Sequence, residues 1–329
     1  MRAAGTILVT GGAGFIGSHA CKALQKAGYT PVTFDNLTTG HAGHVRWGPL
    51  VQGDVRDAAA VEQALRQHQA TAVIHFAASA YVGESMADPA KYYDNNVGGM
   101  IGLLAGCRAA GVSQVVLSSS CATYGIPDAL PIDETTVQKP INPYGRTKLI
   151  CEQMLHDYGL RHISLRYFNA AGADPEGQLG ERHDPETHLI PLALLAAAGR
   201  RGALGIFGTD YDTPDGTCIR DYIHVADLAR AHVLALARLQ NGGESDAVNL
   251  GSGQGLSVRQ IVAAIARITG RSVPVSEMPR RAGDPPVLLA DPARAARLLG
   301  FRTMLSDIDQ IIGDAAPWFG LEAGYARAV

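Results

Sequence analysis

Tyr144 and Lys148 stand four residues apart, and Ser120 closes the run Ser118-Ser119-Ser120 upstream. On a helix, that spacing puts both side chains on one face. Asn142 is able to cap such a helix, and Pro143 suits its first turn, where a missing N–H costs nothing. A phenol with an ordinary pKa near 10 is a poor base at neutral pH. An ammonium one turn away, helped by a second positive charge, favours the phenolate. Lowering the pKa by ~3 units takes ~4 kcal/mol of preferential stabilisation, within reach in a desolvated cleft. Tyr144 is then expected to take a proton from a substrate hydroxyl, with Ser120 hydrogen-bonded to the same oxygen. Tyr-x-x-x-Lys also arises by chance on exposed helices, so the reading depends on what accompanies it.

What accompanies it is Ile7-Leu8-Val9-Thr10-Gly11-Gly12-Ala13-Gly14-Phe15-Ile16-Gly17, an apolar strand pattern, three spaced glycines and a helical pattern. Gly11 lets the chain reverse with positive φ, Gly14 leaves room for a pyrophosphate, and Gly17 lets helix and strand pack closely. The free N–H groups of the helix then face the phosphates. Asp35 ends a second strand, Pro31 to Phe34. A carboxylate there accepts hydrogen bonds from an adenosine ribose and repels a 2′-phosphate, which favours NAD over NADP. With a nicotinamide as acceptor, loss of the hydroxyl proton to Tyr144 accompanies hydride transfer from the same carbon. Lys148 would also hold the nicotinamide ribose.

The elements needed to position these groups follow in order. Strand patterns occur at Leu50–Gly53, Ala72–Ala78, Gln114–Ser120 and Ile163–Phe168, alternating with helical patterns at Asp57–Gln67, about Pro89–Ala110 and from Pro143. This alternation predicts a doubly wound parallel α/β sheet with right-handed crossovers. Asp54, just past a strand, lies on the carboxyl edge where ligands bind and is a candidate for the adenine amino group, or else a helix cap. Beyond about Gly172 the composition changes. Asp174 to His188 is a polar loop too long to be a simple connector. Helices are predicted at Leu189–Arg200, Val225–Leu239, Val258–Thr269, Pro292–Leu299 and Ser306–Phe319, with short strands at Ile206–Phe207 and Val248–Leu250. Residues 1–172 read as a dinucleotide-binding domain and 173–329 as a smaller mixed substrate domain, of which about 216–255 packs back on the first.

Composition narrows the partners. Of 329 residues, 47% are apolar and 18% charged, with a net charge of −3, so nothing argues for nucleic acid or a membrane surface. Little chain precedes the first strand and no long apolar run occurs, which predicts neither secretory signal nor spanning helix and hence a cytoplasmic chain. Cys21, Cys107, Cys121, Cys151 and Cys218 are scattered, with no C-x-x-C, and read as reduced buried thiols. His41 and His44 lack a ligand partner at metal spacing and read as solvated loop residues, so no metal is expected.

Taken together, Thr10 to Gly17, Ser118-Ser119-Ser120, Tyr144-Gly145-Arg146-Thr147-Lys148 and Arg166-Tyr167-Phe168-Asn169 resemble the extended short-chain dehydrogenase/reductases. Within these, His75-Phe76-Ala77, Val82 to Ser85, Tyr92 to Asn96, Arg220 to Val225 and Arg280-Arg281-Ala282-Gly283-Asp284 are similar to the UDP-glucose 4-epimerase family. The resemblance implies NAD-dependent interconversion of UDP-glucose and UDP-galactose through a 4-keto sugar that turns over. It places Phe15, Ile16, Asp35, Asn36, Asp54, Val55, Phe76, Ala77, Ala78, Asn95 and Phe168 on NAD, with the three glycines, Tyr144 and Lys148. It places Asn169, Leu189, Phe207, Arg220, Arg281 and Asp284 on the UDP-sugar, along with Ser120. Arginines that grip a pyrophosphate bidentately fit an anchor that holds while the sugar rotates.

The chain departs from the family pattern at three places. Ala78-Ser79-Ala80 replaces Gly-Leu-Lys, His188 replaces an asparagine, and Leu288 occupies the position of a tyrosine or a small residue that gates N-acetylated sugars. UDP-N-acetylhexosamines and UDP-pentoses are therefore alternative substrates. A dTDP-sugar 4,6-dehydratase would want an Asp-Glu pair where Cys121-Ala122 stands. A non-catalytic NAD-sensing regulator on the same fold would be expected to have lost Tyr144 or Lys148. A homodimer through the helices near Tyr92–Ala110 and after Tyr144 is the family expectation.

Overall fold

The computed structural model describes residues 5–281 and 284–324; Ala282 and Gly283 of the arginine motif lie outside the described residues. The chain runs β1 (Thr6–Thr10), α1 (Phe15–Lys26), β2 (Thr30–Asp35), β3 (Leu50–Gln52), α2 (Ala58–Gln67), β4 (Ala70–His75), α3 (Val82–Ala87), α4 (Pro89–Tyr92), a π turn (Tyr93–Gly98) and α5 (Gly99–Ala110). It continues with β5 (Gln114–Ser120), α6 (Pro143–Asp157), β6 (Arg161–Tyr167), β7 (Asn169–Ala171), α7 (Leu189–Ala197), β8 (Leu204–Phe207), β9 (Ile219–His224) and α8 (Val225–Gln240). The last elements are β10 (Asp246–Leu250), β11 (Gly255–Ser257), α9 (Val258–Thr269), β12 (Val275–Met278), β13 (Val287–Leu288), α10 (Ala293–Leu299) and α11 (Ile308–Ala315).

Seven strands form one parallel sheet in the order β10-β6-β5-β4-β1-β2-β3. Their apolar runs are continuous because both faces are covered, and alternate residues feed two cores. Ile7, Val9, Ile74 and Val116 pack on one face with α1 and α8 residues such as Leu24 and Leu236. Leu8, Val73, Val115 and Leu117 pack on the other with Leu65 of α2 and Leu103 of α5. The order reverses between β1 and β4, which is where a doubly wound sheet opens its ligand crevice. Gly11, Ala77 and Ser120 all follow or end strands at that edge. The doubly wound parallel fold expected from the sequence is thus observed.

A second, smaller layer is built on β9, flanked by β11 and β13, with β7 also paired to it, while β8 pairs with β12. β7 follows directly on β6, so the chain passes from the main sheet into this layer through Phe168. Three expectations need correction. The helix expected from Pro89 to Ala110 is interrupted by the π turn at Tyr93–Gly98. The helix after β3 is capped by Asp57, which accepts from Ala59 N and Ala60 N, and not by Asp54. His44 is buried, 8% exposed, beside His41, because the loop folds back on the glycine turn: His41 N donates to Ala13 O.

Candidate active site

The glycine turn has the geometry its spacing implies. Gly11 has φ +71°, and a Cβ there would lie 2.5 Å from Ala77 N, so the turn is pressed against the end of β4. A Cβ at Gly17 would come within 2.2 Å of Gly11 O, so α1 packs directly on the turn. Gly14 forms the N-cap of α1 with no side-chain cap, which leaves the first N–H groups of the helix for an anion. Asp35 is buried at the end of β2; its Oδ2 accepts from Ala13 N at 3.0 Å and its Oδ1 from Leu37 N at 2.8 Å. Burial pushes its carboxyl upward, and these two amides pull it back. The cradle, the uncapped helix and the fixed acid fit a dinucleotide without a 2′-phosphate.

The remaining NAD-side residues divide. Asp54 accepts from Asn36 Nδ2 at 3.2 Å and from Arg56 Nη2 at 2.8 Å; Arg56 holds the carboxyl well below the usual carboxylate range. Val55 and Ala77 pack with the second core. Ile16 and Phe76 pack against the first core, where the Phe76 ring sits 4.6 Å from that of His232. Asn95 lies on the π turn and donates to Asn96 Oδ1 at 3.0 Å. Ala78 follows β4, and Phe168 is buried between β6 and β7.

Ser120 ends β5, and its Oγ accepts from Ala122 N at 3.1 Å. Asn142 caps α6 by accepting from Gly145 N at 2.8 Å, with Pro143 in the first turn. A Cβ at Gly145 would lie 2.3 Å from Ala122 O, so the helix rests on the backbone just past Ser120. This contact places Tyr144 at the end of β5. Its ring is buried, set edge-on to Tyr92 with centroids 6.4 Å apart, and Lys148 Nζ lies 6.0 Å from the Tyr144 centroid. Lys148 is also buried and donates to Ser118 O at 2.7 Å.

The acidified phenol expected from the sequence counts on two charges, the Lys148 ammonium and that of the nicotinamide, of which the protein frame holds the first. Burial pushes the Tyr144 phenol upward, with Ser120 pulling it partly back, and burial brings Lys148 down to about 8. Desolvation is the largest influence of the protein frame on the phenol.

Substrate-side residues assemble in pairs around β9. Asn169 Nδ2 donates to Asp221 O at 2.9 Å. Arg220 Nη2 donates to Asp284 Oδ1 at 2.5 Å, and the Arg281 guanidinium lies 3.8 Å from the centroid of the Phe207 ring. Leu288 is in register with Arg220 across β13 and β9 and packs against the cluster of Cys121, Tyr124 and Phe168. Leu189 opens α7, with His188 as its N-cap residue.

Sequence reasoning missed the groups that hold these in place. Asn96 accepts from Ser79 N at 2.8 Å and donates to Ser79 O and to Thr147 Oγ1 at 3.0 Å, which ties the loop after β4 to α6. Arg166 and Glu152 form a buried ion pair at 2.6 Å behind Ser119. Asp221, buried, accepts from Ser252 N at 2.8 Å, Gly253 N at 3.0 Å and Ala290 N at 3.2 Å. Asn96, Arg166 and Asp221 fall inside the motifs that carry the family resemblance, and Glu152 lies one helical turn from Lys148, but neither signal gave them a positioning role.

A doubly wound sheet with a pyrophosphate cradle, an acid after β2 and a Ser–Tyr–Lys group at the carboxyl edge defines a dinucleotide-dependent enzyme acting on a hydroxyl carbon. The chain belongs to the NAD dependent epimerase/dehydratase family, whose profile matches residues 7–251. It is 53% identical over 316 residues to the UDP-glucose 4-epimerase of Rhizobium meliloti (strain 1021), covering 95% of this chain and 96% of that one. The solved UDP-glucose 4-epimerase of Brucella ovis, in complex with NAD, superposes with a TM-score of 0.95 at 62% identity, covering 97% of this chain and all of that one (100%). The Stenotrophomonas maltophila UDP-glucose-4-epimerase, with bound NAD and formylated UDP-arabinopyranose, gives 0.93 at 42% identity, covering 96% and 98%. All five cysteines are free and buried, and no helix among the described residues is long and apolar enough to cross a membrane.

Proposed function

We propose that the chain interconverts UDP-glucose and UDP-galactose, with NAD as a bound cofactor. The observation that carries this is Tyr144, buried beside Ser120 on a helix locked to the Ala122 carbonyl, between the glycine cradle and the arginine pairs of β9. Bound NAD would supply the acceptor, and afterwards the donor, of the hydride at C4. Tyr144 takes the proton of the C4 hydroxyl and gives it back after the 4-keto sugar has turned over. Ser120 donates to the C4 oxygen, and Lys148 supports the phenolate while holding the nicotinamide ribose. Gly11, Gly14 and Gly17 admit the pyrophosphate of NAD; Phe15, Ile16, Val55, Phe76, Ala77, Ala78 and Phe168 shape its apolar walls. Asp35 takes the adenosine ribose, with Asn36, Asp54 and Asn95 as polar partners.

On the other side, Arg220 and Arg281 grip the UDP diphosphate. Asn169, Leu189, Phe207 and Asp284 complete that half of the site, and Leu288 borders the sugar. Residues 1–172 then form the NAD-binding part and 173–329 the UDP-sugar part, with about 216–255 returning to the first through α8 and β10. The buried free thiols support a cytoplasmic setting, and exposed Tyr93, Ile101 and Tyr158 support a homodimer through α5 and α6. Purified protein given UDP-galactose without added NAD is expected to yield UDP-glucose; a product ratio that never leaves the starting sugar refutes the assignment.

A further inference from the structure

The long polar loop between β7 and α7 is more ordered in its contacts than its composition suggests. Asp174 is buried and paired with Lys22 of α1, Leu179 is fully buried, and Gly180 is pressed so closely on Trp318 that a Cβ would fall 2.2 Å from the ring. Past that anchor, four side chains converge within eight residues: Glu181, His183, Glu186 and His188. One nitrogen or oxygen from each lies within 4.8 Å of all the others. The four N···O separations are 2.9 Å (His188 Nδ1 to Glu181 Oε1), 2.8 Å (His188 Nδ1 to Glu186 Oε1), 3.1 Å (His183 Nδ1 to Glu181 Oε1) and 3.6 Å (His183 Nδ1 to Glu186 Oε2).

Hydrogen bonding within the cluster leaves it incomplete. His188 Nδ1 carries at most one proton and stands between two carboxylate oxygens, so one contact goes unserved. His183 Nδ1 is buried and makes no hydrogen bond, although both carboxylates are close. A central cation would serve all four contacts together. Ligands at about 2.0–2.1 Å around a tetrahedral ion stand roughly 3.3 Å apart. Three of the N···O separations, 2.8, 2.9 and 3.1 Å, fall a few tenths of an ångström short of that, and the 3.6 Å contact uses the other oxygen of Glu186, so small side-chain rotations would seat the ion. Two carboxylates balance a dication, and two imidazoles select the zinc class over calcium or magnesium, which prefer all-oxygen sites.

We propose that Glu181, His183, Glu186 and His188 form a tetrahedral binding site for one divalent transition ion of the zinc class. With four protein ligands the site is closed, so the ion is structural and takes no part in the epimerisation. Its place is the lip of the cleft. The His183 ring is 6.2 Å from Phe15 at the start of α1, Tyr81 lies 5.9 Å from His183 and 6.0 Å from His188, and His188 leads into Leu189. Binding would pin the loop to the start of α7.

The test uses the full chain with its bound NAD, without an affinity tag, dialysed against chelator and titrated with cobalt(II) and then zinc. One saturable equivalent is expected, with the strong visible absorption of four-coordinate cobalt that zinc abolishes. His183→Gln and Glu181→Gln should each weaken binding about a hundredfold or more, since loss of even an outer-shell partner costs about 10–100-fold. Zinc should raise the melting temperature of the parent chain and leave both variants unmoved. Failure of cobalt to saturate at one equivalent, a weak six-coordinate spectrum, or binding that survives His183→Gln through other histidines would each overturn the proposal. The spectrum of the parent chain decides the matter even if a variant fails to fold. Epimerase turnover plays no part in the readout, so this test and that of the proposed reaction fail separately.

Discussion

The two halves of the site hold their charges in opposite ways. At the end of β5, Tyr144 and Lys148 are buried, and Lys148 is committed to the Ser118 carbonyl, so the reacting groups are fixed by packing before any sugar arrives. Around β9, Arg220 is half-buried and paired with the Asp284 carboxylate, while Arg281 is exposed and stacked on the Phe207 ring. One half is preorganised at the cost of burying an ammonium; the other holds its cations on partners that the proposed diphosphate could replace. In the proposed reaction the diphosphate anchor holds while the 4-keto sugar turns, and it has to exchange partners only when the nucleotide sugar binds and leaves.

The comparison breaks most sharply at the phenol. Tyr144→Phe should keep NAD bound and lower turnover by about three orders of magnitude, the usual scale for a positioned acid–base group. Near-normal conversion of UDP-galactose would show that another group moves the proton. Next comes the cost of the preorganised half. Lys148 falls from 10.5 in the unfolded chain to about 8 in the folded one, chiefly through burial, so the folded state binds fewer protons between those values. Stability of the parent chain therefore rises with pH through that window. Lys148→Met should be inactive yet more stable by about 2 kcal/mol at neutral pH, after allowing about 1 kcal/mol for the orphaned Ser118 carbonyl. That gain should vanish at about pH 10 and turn into a deficit of under about 1 kcal/mol above it. Denaturant unfolding of both proteins across the window measures it, and a pH-independent difference would deny that the ammonium is charged and buried.

The same contrast governs what could be read from the chain. The half built on β1 to β6 was legible because parallel strands covered on both faces are continuous apolar runs, and each glycine of the turn has a steric reason visible in its spacing. The half built on β9 was legible through the family motifs around Arg220 and Arg281 and single residues such as Asn169, Leu189 and Phe207, and not as a sheet. β9 reads Ile-Arg-Asp-Tyr-Ile-His and β7 is three residues long, so neither shows strand periodicity; their pairing is decided by tertiary contacts. Asn96, Glu152 and Asp221 were invisible as positioning groups for the same reason: their partners lie 14 residues away or more, on other elements. Spacing reports the ammonium beside Tyr144 and says nothing of the desolvation that pushes the phenol upward in the protein frame. In the loop before α7, Glu181-x-His183 and Glu186-x-His188 repeat one pattern at an interval of five residues, but that interval fits neither helix nor strand, and only the fold of the loop brings the four side chains together.

On the exchangeable half the expected effects are smaller. Arg281→Ala removes one charged contact to the diphosphate while leaving Tyr144 untouched. KM for UDP-galactose should rise about tenfold to thirtyfold with kcat nearly unchanged, the pattern of an interaction made equally in ground and transition states. A fall in kcat of similar size would mean that the anchor also aligns the sugar, and the two halves would no longer be separable.

The boundary between the halves gives the finest test. Leu288 sits in register with Arg220 and packs on the cluster of Cys121, Tyr124 and Phe168, so it touches both the tether and the wall behind Ser120. Its bulk is intermediate between a tyrosine and a small residue at the same place. If it borders the sugar, Leu288→Ala should raise kcat/KM for UDP-N-acetylglucosamine relative to UDP-glucose by about fivefold to tenfold, and Leu288→Tyr should lower it, within the 1–3 kcal/mol that small changes of pocket volume command. Circular dichroism and retained NAD would show that neither change has loosened the wall. A ratio that stays fixed in both variants would place the acetamido group elsewhere and leave Leu288 as packing behind Arg220. A ratio that moves together with KM for UDP alone would put it on the tether. Only a change confined to the sugar would set it at the meeting of the fixed and the exchangeable halves.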